Sequence, residues 1–328
     1  MVLLLSAADL ARVLEVGAVV DAVQAAFAAY SAGRTVTPLR VGVEPPGQEG
    51  VLLAMPCAVI EPPSLGTKLV AVYRGNPGRG LPLIHSVYVL ADFATGQPLA
   101  IMDGGYLTAI RTGAGSAVAT RLLARPEAKT LGVFGTGVQA RHHVACIAAV
   151  RALERVLVVG TSSAKAAAFA AWVHDELGLE AAPASAAEAA GADVLAVCTT
   201  SPQPVVPAEA VRPGAHINAV GAFTPSTREL PTALVQRASV YVDTRAGAEA
   251  EAGDLLIPVQ EGAFSVDRIR GELGQLVLGQ VPGRGAADEV SIYKSVGAAF
   301  LDAATAQVAV ARAHEAGIGQ QFDLAGGA

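Results

Sequence analysis

Residues 130 to 143 read TLGVFGTGVQARHH, a run that joins an apolar strand, a glycine-tight turn and the start of a helix. Gly135, Gly137 and Ala140 have the Gly-x-Gly-x-x-Ala spacing that brings a pyrophosphate against a helix N-terminus. Gly135 permits the turn, Gly137 removes the Cβ that would hold the backbone off the phosphates, and small Ala140 lets helix and strand pack closely. Such a triplet is a weak signal in a chain with 35 glycines; its place between an apolar strand and a helix-compatible run gives it weight. A dinucleotide is therefore the expected ligand, with Gly135, Thr136, Gly137, Val138 and Gln139 around its phosphates.

The sequence around this motif repeats its texture. Strands are expected at 130–134, 155–159, 193–198, 216–220 and 239–243, with helices at about 138–150, 164–177 and 206–211. Alternation of this kind specifies a parallel sheet covered by helices on both faces. The segment 181–192, AAPASAAEAAGA, is low in complexity but too short and apolar for a disordered linker.

Before Pro126 the texture differs. The opening, MVLLLSAADLARVLEVGAVV, lacks a basic leader and carries Asp9 and Glu15 early, so it reads as a core-facing helix rather than a signal or membrane span. One or two helices are expected over 6–30, closed by Gly33. From Val36 to Asp92, short apolar runs broken by Pro and Gly predict a mostly antiparallel sheet. A hairpin turning at Thr95–Gly96 and a helix over 107–124 follow, and the tail from 291 to 317 reads as one long helical run carrying Tyr293, Val296 and Phe300 on one side. The fold class is α/β: a Rossmann-type doubly wound parallel sheet, at 119–300, inserted in an α+β substrate-binding and dimerisation domain made of 1–118 and 301–328.

Composition narrows the function. With 328 residues, 52% hydrophobic and 16% charged, the chain can bury large cores. A net charge of −6 lacks the basic field that a nucleic-acid partner requires. Cys57, Cys146 and Cys198 are widely spaced and odd in number, which argues against disulfides and a zinc site and fits reduced thiols in cytoplasm.

Several residues could carry chemistry. The second parallel strand runs into Gly160-Thr161-Ser162-Ser163, followed by Lys165, with no carboxylate to bind a ribose 2′-hydroxyl. That loop favours NADPH, with NADH as the alternative, although Ser162 or Ser163 would also serve as a helix cap. Strand alternation puts Lys68 on one face with Val70 and Val72, and a solvated edge lysine is the alternative. Arg111 lies on a helix almost free of charge, where a guanidinium needs a carboxylate, from either substrate or protein. Arg40 opens a strand. His85 is a candidate proton donor or an edge histidine with a structural hydrogen bond. His142 and His143 lack metal-site spacing, and Asp243 and Asp254 are explained by capping and loop hydrogen bonds.

The chain resembles the ornithine cyclodeaminase/mu-crystallin family over almost its full length. The matching landmarks are Met55-Pro56, Gly66 to Lys68, Gly80 to Pro82, TGQPLAIMDGGYLTAIRTGAGSAVA from Thr95, GVFGTGVQA from Gly132 and KSVGAAFLDAATA from Lys294. The resemblance implies a homodimer whose N-terminal domain, completed by the C-terminal helix, binds substrate and forms the interface. It implies that Arg40, Lys68 and Arg111 hold the substrate carboxylate. Where cyclodeaminases have an aspartate in the loop HINAVGAFTPSTREL, this chain has Phe223, so the resemblance points to the imine-reducing branch, acting on Δ1-pyrroline-2-carboxylate or Δ1-piperideine-2-carboxylate to give proline or pipecolate. The expected catalytic residues are Lys68 and His85. Phe223 joins the substrate set, and Thr199, Thr200, Val220, Gly221 and Ser295 join the cofactor set. An ornithine cyclodeaminase, an alanine dehydrogenase, an iminosuccinate reductase and a non-catalytic mu-crystallin-like binder are the other readings.

Overall fold

The computed structural model describes residues 1–324; residues 325–328, grouped above with the first domain, lie outside the described residues. The chain divides into two compact units, Met1–Arg111 with the segment from Ala298, and Thr112–Gly297. The first division, like the expected boundary at 118–119, falls inside the continuous helix Gly104–Leu123.

The first unit begins β1 (Val2–Leu5), α1 (Ala7–Val13), α2 (Val16–Ser31), β2 (Thr35–Val36), β3 (Val41–Val43), β4 (Gly50–Val59), β5 (Ser64–Tyr73), β6 (Ile84–Ala91), β7 (Pro98–Asp103) and α3 (Gly104–Leu123). The opening corrects the expectation of a helix: Val2–Leu5 is a strand parallel to β7, and the helix waits for Ser6, whose capping box with Asp9 starts α1. Gly33, at φ +71°, ends the helical pair. The hairpin of β6 and β7 forms as expected, with Gly96 at φ +74° in its turn.

The second unit runs β8 (Thr130–Phe134), α4 (Val138–Ala148), β9 (Arg155–Val159), α5 (Ser163–Leu177), β10 (Glu180–Pro183), α6 (Ala186–Ala190), β11 (Val194–Val197), β12 (His216–Ala219), α7 (Thr232–Arg237), β13 (Ser239–Val242), α8 (Arg245–Glu251), α9 (Gly253–Gln260), β14 (Ile269–Glu272), α10 (Leu273–Val277) and β15 (Ser291–Lys294). Its strands lie in the order β10-β9-β8-β11-β12-β15-β13-β14, all paired in parallel. Both faces are buried, with Val194 and Ala196 in one apolar core and Leu195 and Val197 in another. The expected helix at 206–211 is a single 3-10 turn, Ala208–Ala210.

The chain then returns to the first unit as α11 (Ala299–Ala316) and β16 (Gln320–Phe322). The tail is thus not one helical run. Ser291–Lys294 is a fully buried parallel strand, and Gly297, at φ +86°, separates it from α11. Apolar spacing over four residues does not distinguish a buried strand from a helix turn. The first sheet has the order β16-β1-β7-β6-β5-β4-β2, with β3 also on β4. Its inner face packs on α11, where Phe300 stacks on Tyr30 at 4.7 Å and meets Phe27 edge-on at 5.6 Å. Its other face carries Val41, Val43, Leu52 and Leu69, all exposed.

Candidate active site

Lys68 sits in the middle of β5, opposite Met55 of β4 and Tyr88 of β6, and is 2% exposed. Period-two alternation turns it to the same inner face as buried Val70. A lysine there needs a counter-charge, and Asp302, in the first turn of α11, supplies it: Nζ lies 2.8 Å from Oδ2. Arg111, from α3, donates through Nε to Oδ1 of the same carboxylate at 2.9 Å. The two cations converge on one fully buried acid.

Arg111 was expected to need a carboxylate, and a protein carboxylate provides one. Asp302 takes only Nε, so no described residue occupies the two terminal amino groups of Arg111. Arg40, half-buried just before β3, is near enough for its charge to act on Lys68. Burial pulls the Lys68 pKa down to about 8, with Asp302 opposing the shift and the Arg111 and Arg40 charges adding to it. The two cations hold the Asp302 carboxyl below the usual carboxylate range, although its burial works the other way. The Tyr88 hydroxyl is buried against Gly66 and has no partner among the described residues. A buried ion cluster adds little stability over apolar packing of the same volume. Ligand chemistry accounts better for three charges in this core.

His85 is not part of this cluster. It pairs with Ala71, three residues from Tyr88 along β6, so alternation turns it to the opposite face of the sheet from Lys68, where it is exposed. Sequence proximity to Lys68 misled because a shift of three positions on a strand reverses the face. Asp302 was missed. Its signal was present: between Lys294 and Arg312 it is the lone charge in an apolar run, the same signature that singled out Arg111. A separate 510 Å³ cavity in the first unit, lined in part by Asp9, Ser86 and Asp103, contains none of these residues.

In the second unit the strand order reverses between β8 and β11, and ligands bind at the carboxyl ends of strands at such a switch point. Gly135 follows β8 at φ +109°, where an added Cβ would press on the Cys198 carbonyl. Gly137 is the N-cap of α4, offers no side-chain cap, and has open space where a Cβ would stand. Exposed Val138 begins the helix, half-buried Thr136 precedes the cap, and the buried Gln139 Oε1 has no partner among the described residues. Uncapped N–H groups facing open space fit a pyrophosphate. His143, next along the helix, is an ordinary buried residue, bonded through Nδ1 to the Gln139 carbonyl at 2.7 Å and pulled down to a pKa of about 4 by burial.

After β9, Thr161, Ser162, Ser163 and Lys165 are all exposed, and the Ser162 hydroxyl accepts from Lys165 N at 3.3 Å as the cap of α5. Thr199 and Thr200 follow β11, and Val220 and Gly221 follow β12, so both pairs stand at carboxyl strand ends. Ser295 follows β15, but its hydroxyl is committed to Asp243 Oδ2 at 2.9 Å, which also accepts from Val296 N and Gly297 N. Asp243 is therefore a loop anchor, as is Asp254, which accepts from Glu229 N and Leu230 N and pairs with Lys294 Nζ at 2.8 Å. Phe223, in the loop after β12, is 37% exposed. Sequence reasoning missed Glu229, a fully buried acid in that loop.

A model of the ornithine cyclodeaminase/mu-crystallin family matches residues 2–317. The chain belongs to that family. It is 38% identical over 325 residues to a Δ1-pyrroline-2-carboxylate reductase of Bacillus cereus, an alignment covering 98% of this chain and 100% of that protein. Among solved structures it is similar to the Δ1-pyrroline-2-carboxylate reductase of Thermococcus litoralis in complex with NADH and L-proline, with TM-score 0.94, 38% identity, and 98% and 100% of the two chains covered. It is also similar to an archaeal alanine dehydrogenase dimer with bound NAD, with TM-score 0.93, 32% identity, and 98% and 99% covered. The family membership implied by the sequence landmarks is thereby established, as is the parallel-sheet α/β fold.

Proposed function

We propose that the protein is an NAD(P)H-dependent reductase of a small cyclic imino acid, converting Δ1-pyrroline-2-carboxylate, Δ1-piperideine-2-carboxylate or both to L-proline or L-pipecolate. The observation that carries this reading is the Lys68–Asp302–Arg111 cluster: a buried ammonium poised to give a proton, beside a guanidinium with two amino groups to spare. The relatives named for pyrroline-carboxylate reduction support it. So does Phe223, which stands where a cyclodeaminase would need an acid for its substrate amine and which suits an apolar ring.

When bound, the reduced nicotinamide supplies the hydride that the imine carbon accepts. Arg111 and Arg40 bind the substrate carboxylate, Arg111 through its terminal amino groups. Lys68, protonated at neutral pH and oriented by Asp302, donates to the imine nitrogen, because a protonated C=N is a far better hydride acceptor than a neutral one. One C–H and one N–H bond form, the C=N double bond becomes single, and Lys68 recovers its proton from solvent. Positioning by the arginines contributes much of the rate, since this transfer depends on close approach rather than covalent catalysis.

The preferred cofactor is NADPH. The exposed turn of Thr161, Ser162 and Ser163 with Lys165 nearby, and no carboxylate, favours a 2′-phosphate over a 2′-hydroxyl. The assembly is a homodimer formed through the first unit, whose outer sheet face exposes Val41, Val43, Leu52 and Leu69. The archaeal dehydrogenase dimer supports this reading. Cys57 and Cys146, both buried, and half-buried Cys198 form no disulfide, which fits a cytoplasmic location.

A substrate panel with each reduced cofactor tests the proposal. NADPH oxidation should be fastest with the cyclic imino acids. Faster turnover of pyruvate plus ammonia, or of iminosuccinate, would assign the protein to an acyclic imine instead, and no turnover at all would make it a binding protein.

A further inference from the structure

The loops after β11 and β12 leave the carboxyl ends of the strands that begin the second mononucleotide half of the sheet, the half that takes the nicotinamide end of a dinucleotide. One buried carboxylate joins them. Glu229 Oε1 accepts from Thr199 N at 2.6 Å, and Oε2 accepts from Gly221 N at 2.6 Å and Ala222 N at 3.2 Å. The approach is so close that a Cβ at Gly221 would overlap both the Thr199 carbonyl oxygen and the Glu229 carboxylate. The arrangement is electrostatically unfavourable. Burial and the neighbouring Asp254 push the Glu229 pKa up to about 7, against the pull of Lys294 and the bonds from Thr199. Packing alone would be better served by an apolar residue.

We infer that Glu229 is a positioning residue for the cofactor, setting the spacing of the two loops that hold its nicotinamide end. The inference rests on the dinucleotide reading of the site and not on which imine is reduced. The groups facing Glu229 are Asp254 from α9, Lys294 from β15, which pairs with Asp254 and donates to the Ala222 carbonyl, and the Cys198 thiol after β11, itself pushed up by burial and by the Glu229 charge. Arg228, the preceding residue, turns to Glu261 at 2.9 Å.

The ionised carboxylate accepts best from all three N–H groups, since a proton on either oxygen takes up part of that oxygen's acceptor capacity. As pH falls through about 7, the tie between the loops slackens and nicotinamide binding weakens. Fold stability moves the other way. Because the folded pKa is raised above the usual 4.5, the folded state binds more protons than the unfolded one between those values, and this group's contribution rises as pH falls.

The test measures binding of NADPH and of 2′-phospho-ADP-ribose, which keeps the adenosine, its 2′-phosphate and the pyrophosphate but lacks the nicotinamide. Glu229→Gln should weaken NADPH about tenfold and leave the fragment unchanged, and between about pH 8 and pH 6 the wild-type protein should lose more NADPH affinity than fragment affinity, the shared 2′-phosphate protonating alike in both. Equal weakening of both ligands, or of neither, overturns the inference. If the variant does not fold, the wild-type titration decides alone: an NADPH profile that falls no more than the fragment's overturns the inference. Failure of the wild-type protein to bind either ligand would overturn the dinucleotide reading, and the inference with it.

Discussion

In the first unit, Lys68 and Arg111 reach one carboxylate from segments 234 and 191 residues away in sequence. In the second, the phosphate turn is built within a few consecutive residues, from Gly135 to Ala140. The former is built from buried side-chain charge, the latter from backbone N–H groups and space left by glycine. Acids serve both, but differently. Asp302 pairs with two buried cations, whereas Glu229 and Asp243 accept from backbone N–H groups of loops. A site made of side-chain charge should respond sharply to single substitutions and to pH. A site made of backbone should respond mainly to changes in the loops that carry it.

The largest expected effect is at Lys68. Lys68→Ala should lower kcat about a thousandfold, within the usual range for a lost general acid, while the Kd for NADPH measured by fluorescence changes less than about twofold. A substantial loss of NADPH affinity would show that the two devices are not separable. Next comes Asp302→Asn, which leaves two buried cations without their anion and should cost about 3 kcal/mol or more in denaturant unfolding. A variant as stable as the wild type would mean that solvent, not Asp302, satisfies Lys68 and Arg111.

The pH dependence is smaller but more specific. Since the protonated form of Lys68 is required, kcat/KM should fall as pH rises through about 8. Stability has the opposite sign here as well: the Lys68 pKa is lowered from 10.5, so the unfolded chain binds more protons between about 8 and 10.5, and this group's contribution to stability rises with pH across that window. A profile flat to pH 10 would remove Lys68 as the acid. The smallest effect is expected at exposed Lys165, where Lys165→Ala should weaken NADPH about fivefold and leave NADH unchanged. Equal effects on both cofactors would remove the 2′-phosphate from the account.

The same contrast explains what the sequence could reveal. The phosphate turn was legible because its chemistry needs a local spacing, and the strands on either side of it were legible from their apolar runs. The cluster was half legible. A lone cation on an apolar element signals a buried charge, which picked out Lys68 and Arg111, but the partner depends on tertiary packing, and Asp302 went unread although its own run carried the same signature. His85 illustrates the converse error, since nearness in sequence says nothing of the sheet face. Strand β15 was read as helix because Tyr293, Val296 and Phe300 recur at helical intervals, and only the parallel pairing with β12 and β13 makes Ser291–Lys294 a strand. Glu229 was invisible because nothing local distinguishes an acid that closes a loop from one that faces water.

The most direct test of the central claim is stoichiometric. Purified protein given Δ1-pyrroline-2-carboxylate should oxidise one NADPH for each proline formed and should release no ammonia from ornithine. Proline formed from ornithine with ammonia released and no net loss of reduced cofactor would contradict the account, because the cofactor would then be recycled within a cyclodeaminase rather than consumed by a reductase.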